Sequence, residues 1–215
     1  MKLRFVSAGA AQALVANEAR REGIEVQGIF GAVGAMREKY LEGEPCDIVI
    51  LTRKLIDELA AQGRVVAQST VDLGAVPTSI AVRASDPAPD VSDEDSLRAA
   101  LLEADAIYFP DPAKATAGIH FRQVLERLGI DGKVRDRIRN FPNGAASMRA
   151  MAEAHGHPIG CTQATEIRAT PGVRLVAPLP KGYALVTVYS GAVDAQAADR
   201  DSAARFLARL SGALA

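Results

Sequence analysis

Apolar positions along the chain fall into two kinds of segment that alternate. Short apolar runs at residues 3–6, 24–30 and 46–51 read as buried strands, and between them stand segments with helical spacing. The first helix is expected over 11–21, ended by Gly23. The second spans 35–41, and the third, 55–62, carries Leu55, Ile56 and Leu59 inward and is closed by Gly63. Residues 65–73 read as irregular and 78–83 alternate as a strand, followed by the loop Asp86-Pro-Ala-Pro-Asp90. Ser92 with Asp95 resembles a capping box opening a helix over 93–103.

A strand over 106–109 then leads through Pro110-Asp111-Pro112 to a helix with Phe121, Val124, Leu125 and Leu128 inward, ended by Gly129. Asn143 is placed to cap a helix over 145–154. Strands follow at 159–162, 173–177 and 183–189, with a loop from 165. The last helix carries Ala203, Phe206, Leu207, Leu210 and Leu214 as one stripe. Strands that alternate with helices predict an α/β fold with a mainly parallel sheet.

In such a fold each strand-to-helix turn points free backbone N–H groups and the positive end of a helix dipole at one sheet edge, where an anion can sit. Gly31-Ala32-Val33-Gly34, between a strand and a helix, is the most glycine-rich of these turns. Glycines there also serve strand–helix packing alone, and the turn by itself does not separate the two uses.

Composition narrows the partners. The 215 residues are 48% hydrophobic and 24% charged, with 25 Lys and Arg against 26 Asp and Glu and a net charge of −1. That balance gives no basic field for nucleic acid and no polybasic membrane patch, so any anion must be recognised locally. No apolar run is long enough to span a membrane. Cys46 and Cys161 lack zinc or disulfide-framework spacing and read as buried free thiols, and no metal or cofactor is expected. The opening MKLRFVSAGAAQALV has a basic start and an apolar middle, but Ser7, Gly9 and Gln12 interrupt it, so it reads as folded structure rather than a signal peptide. As written the chain is expected to be cytoplasmic, or periplasmic if a signal has been removed.

The segment FGAVGAMREKYLEGEPCDIVI, with its turn, helix and Gly43/Pro45/Asp47 break, resembles the molybdate-type solute-binding proteins of ABC transporters, and the resemblance runs from Leu3 to about the C-terminus. It implies a periplasmic-binding-protein fold of the second type: two α/β lobes, residues 1–79 with 187–215 and residues 80–186, joined by a two-strand hinge. It also implies a small anionic ligand, and a permease partner if the chain is exported.

In that family the anion is held without counter-charge by two serines, helix-start amides and a tyrosine. The first serine matches Ser7. The second falls at Val33, between Ala32 and Gly34, where there is no hydroxyl; amide donors fall at Ala117, beside Thr116, and at Ala145; the tyrosine position is Gln163. Each missing hydroxyl partner costs a tetrahedral oxyanion about 1–3 kcal/mol. A small organic carboxylate fits better, met by Gln163, Asn143, Arg149 and Lys114, since amide and guanidinium donors approach carboxylates in their plane. The resemblance extends to aconitate-isomerase-like relatives, which implies an alternative: a cofactor-free isomerase that shifts a C=C bond by proton transfer. His120, Glu166 and Lys114 are then the acid/base candidates, His120 first because it lies near the Thr116 helix start.

Overall fold

The computed structural model describes residues 2–214, which divide into two compact units. One comprises the chain up to Val76 and from Thr187 on; the other is Pro77–Val186.

The first unit is built on strands β1 (Lys2–Ala8), β2 (Glu25–Gly31) and β3 (Ile48–Thr52), with β1 central and parallel to both neighbours. Helix α1 (Gln12–Glu22) links β1 to β2, α2 (Val33–Leu41) links β2 to β3, and α3 (Arg53–Ala61) follows β3. Strand β9 (Val186–Val193) returns antiparallel to β3. Phe5, Val6, Ile48 and Ile50 are fully buried. Phe206 of the last helix, α9 (Arg200–Arg209), meets the Phe5 ring edge-on at 5.8 Å. The opening residues are thus structure, as read from the sequence, but the strand runs beyond the expected 3–6 through Ser7 and Ala8, and a short 3₁₀ segment, Gly9–Ala11, follows it.

The second unit has strands in the order β8 (Val173–Pro178), β4 (Val71–Arg83, which enters this unit at Pro77), β7 (Ile159–Gln163), β5 (Ile107–Pro110) and β6 (Ile138–Phe141). Here β5 is parallel to β6 and β7, whereas β4 runs antiparallel to β7 and β8. Helices α4 (Glu94–Glu103), α5 (Thr116–Arg127), α6 (Asp131–Val134), α7 (Gly144–Ala152) and α8 (Ala164–Arg168) complete it. The Phe109 and Phe121 rings meet edge-on at 5.3 Å in its core.

Several expectations are corrected. Residues 71–77 are strand, although Gly74 and Pro77 are residues that usually interrupt one. The return strand is Val186–Val193, while Tyr183 sits in a turn with the Arg127 guanidinium 4.4 Å from its ring centre. The loop expected from 165 is α8, and β6 and α6 were not foreseen. At α4 the cap is Asp93, whose carboxylate accepts from the Ser96 amide at 2.8 Å, one residue beyond the expected Ser92; a charged acceptor complements the helix dipole better than a hydroxyl. No helix among the described residues is long and apolar enough to cross a membrane.

Candidate functional site

Parallel pairing brings the carboxyl ends of β1, β2 and β3 to one edge of the first unit's sheet. Ser7 stands opposite Phe30 and Ala8 opposite Gly31, so the β1 exit and the start of α2 are neighbours. Ala32 precedes α2, and no side chain caps its first turn; the N–H groups of Val33 and Gly34 are therefore main-chain donors of the kind that seat anions. The start of α1 also lacks a side-chain cap. Ser7 is fully buried, and its hydroxyl donates to the Ala8 carbonyl at 3.0 Å. At α3 the start is differently furnished. Arg53 reaches Asp57 at 2.9 Å and Asp72 at 3.0 Å, and Ser190 donates to Asp72 at 2.6 Å, which with Arg53 holds that carboxyl below its ordinary range.

In the second unit the carboxyl ends of β5, β6 and β7 likewise share an edge, and α5, α7 and α8 begin there. The turn into α5 is fixed by Asp111, whose Oδ1 accepts from the Ala113 amide at 2.7 Å. Thr116 and Ala117 open α5, which has no side-chain cap. Gly118 packs so close to this turn that a Cβ would lie 2.3 Å from the carbonyl oxygens of Pro110 and Asp111. Asn143 caps α7, as its sequence position implied: its Oδ1 accepts from the Ala146 amide at 2.8 Å.

Two buried side chains at this edge dominate its chemistry. The Glu166 carboxylate accepts from the Thr162 hydroxyl at 2.6 Å. Burial pushes its pKa up, while the Thr162 hydroxyl and the amides of Gln163, Ala145 and Gly144 pull it back. The α7 start is thus already complemented by an internal carboxyl group. Gly144 is what admits it, since a Cβ there would fall 2.0 Å from Glu166 Oε2. Gln163, the last residue of β7, is only 2% exposed, and neither of its amide atoms has a hydrogen-bond partner among the described residues. Its cross-strand partner is Thr78, which is fully buried. The hydroxyls of Thr78, Ser147 and Thr165 also lack partners among the described residues. Buried polar groups are nearly always satisfied, which makes the Gln163 amide the unusual feature of this edge.

Of the residues singled out from the sequence, Ser7, Ala32, Val33 and Gly34 share one edge of the first unit, and Thr116, Ala117, Asn143, Ala145 and Gln163 share one edge of the second. Arg149 does not join them: it is exposed on the last turn of α7. Lys114 is exposed in the loop before α5. The Ala145 amide faces the chain's own carboxylate. His120 Nε2 lies 2.7 Å from the Tyr183 carbonyl, a packed and satisfied position. Thr78 and Ser147 were missed; only the strand register and the course of α7 reveal them.

This pair of α/β units, each gathering helix starts at a strand edge, matches a model for bacterial extracellular solute-binding proteins over residues 5–215, and the chain belongs to that family. Its fold is similar to that of the periplasmic molybdate-binding protein of Azotobacter vinelandii (TM-score 0.73, 18% identity, 97% of this chain and 92% of that one). The sulfate-binding protein SubI from Mycobacterium tuberculosis H37Rv is also similar (TM-score 0.67, 18% identity, 99% and 82% covered). At these identities the likeness concerns the fold. An aconitate isomerase from a Pseudomonas species is 29% identical over 181 residues, covering 82% of this chain; the chain spans 66% of that protein's length.

Proposed function

We propose that this chain is a solute-binding protein for a small organic carboxylate. Ser7 and the amides of Val33 and Gly34 are the groups the first unit offers, and Thr116, Ala117, Asn143 and Gln163 those the second offers. The observation that carries this reading is the buried Gln163 amide, without a partner among the described residues, at the edge where α5, α7 and α8 begin. A planar group with two coplanar oxygens can meet an amide N–H and helix-start donors together, whereas a tetrahedral dianion would find no hydroxyl at Val33. If the chain is exported, an ABC permease is its partner.

A thermal-shift screen of di- and tricarboxylates against molybdate and sulfate tests this. A ligand that binds only the folded chain raises its midpoint. The midpoint should rise with a carboxylate and stay unchanged with molybdate; a rise with molybdate alone would refute the carboxylate reading.

Likeness to the aconitate isomerase supports a second reading, a cofactor-free isomerase that moves a double bond by proton removal and return. His120 is a poor proton carrier while its Nε2 is held by the Tyr183 carbonyl, and Glu166, whose pKa is raised by burial, is the better-placed acid. Conversion of trans-aconitate to cis-aconitate by the purified chain would establish this second activity; no conversion leaves binding alone.

A further inference from the structure

We infer that the ligand carries a hydrogen-bond donor of its own, a hydroxyl on the carbon skeleton, which meets the amide oxygen of Gln163: it is a hydroxy acid rather than a plain carboxylate. This rests on the carboxylate reading above and names the class within it.

An amide presents one acceptor oxygen and two donor hydrogens whichever way the group is turned. Both ends of the Gln163 amide are buried without a partner among the described residues. A fully ionised carboxylate is an acceptor only, so it can satisfy Nε2 and never Oε1. Leaving a buried acceptor unpaired on binding has the full cost of its desolvation, which a ligand hydroxyl removes.

The neighbours favour the same end of the ligand. Glu166 stands three residues on, across the first turn of α8, and when ionised it too is acceptor-only. A ligand carboxylate beside it would add like charge in a buried corner, whereas a neutral hydroxyl adds none. The hydroxyl of Thr78, the residue opposite Gln163 across the strands, donates or accepts, so it adapts to a C–OH group without fixing its direction. The second unit's edge therefore offers a neutral, two-way hydrogen-bonding corner at Gln163 and uncapped amides at the α5 start for charge.

Pairs of acids that differ by one hydroxyl read this out. Calorimetric titration of the full chain near pH 7.5 with D- and L-malate against succinate, and with citrate against tricarballylate, should show the hydroxy member of at least one pair bound about tenfold tighter or more. Gln163→Leu should bring that pair to within about twofold by weakening the hydroxy acid. If Gln163→Leu folds poorly, Gln163→Met, unbranched and of similar volume, gives the same comparison. Equal binding within both pairs in the native chain, or a preference that survives in the folded variant, overturns the inference while the carboxylate reading stands. Binding of neither member of either pair, nor of any other carboxylate, overturns both.

Discussion

The Thr162 hydroxyl and the Glu166 carboxylate are joined by a 2.6 Å hydrogen bond inside the second unit, against a glycine, Gly144, that has no room for a side chain. Thr162 lies on β7, Gly144 opens α7 and Glu166 lies on α8. One buried carboxylate therefore ties together elements that all reach the candidate binding edge.

Burial raises the Glu166 pKa above its ordinary 4.5, so the folded chain holds this proton more tightly than the unfolded one. The associated stability is fully present below that ordinary value and is lost as pH rises through the folded value. Glu166→Gln keeps an acceptor for Thr162 and removes the ionised form. Urea denaturation at pH 8 should find it at least as stable as the native chain, with its advantage shrinking toward pH 4.5. Glu166→Ala leaves the hydroxyl and amides without an acceptor and should cost about 1–3 kcal/mol at pH 8.

Gly118 and Gly132 make a matched test of close packing at the α5 start. A Cβ at Gly118 would meet the Pro110 and Asp111 carbonyls at 2.3 Å, while one at Gly132 meets nothing within 4 Å. Gly118→Ala should lose about 1–3 kcal/mol by overpacking. It should also weaken carboxylate binding, because the helix start must shift. Gly132→Ala should be neutral or stabilise by roughly 0.4–1 kcal/mol. Thermal denaturation of both variants checks the contrast.

Cys46 and Cys161 are buried and unpaired. Burial pushes the Cys46 thiol up to about 12 and Cys161 well above its ordinary value, so neither is a thiolate near neutral pH. A colorimetric thiol reagent at pH 8 should titrate neither in the native chain and both in denaturant.

The strand–turn–helix rhythm and the family were legible in the sequence, because buried strands and helix stripes leave periodic signatures and the Gly43/Pro45/Asp47 break is specific. So was the Asn143 cap, whose side chain acts on an amide three residues away. What escaped depends on distant pairing. Strand β4 contains Gly74 and Pro77, which read locally as breakers, and β6 is four residues long. Glu166 was named as one charged candidate among several. That it fills the α7 start follows only from the packing of α8 against α7, and the Thr78–Gln163 pairing only from the register of β4 on β7. Arg149 and Lys114 looked useful because they are cationic, yet both are exposed and Arg149 lies at the far end of its helix.

Isothermal titration of the native chain with a tricarboxylate series and, separately, with molybdate reports the ligand class most directly. Saturable one-to-one binding of a carboxylate, weakened by Gln163→Leu, with no heat from molybdate is the expected result. Tight molybdate binding that is indifferent to Gln163→Leu, with no carboxylate bound, would contradict it.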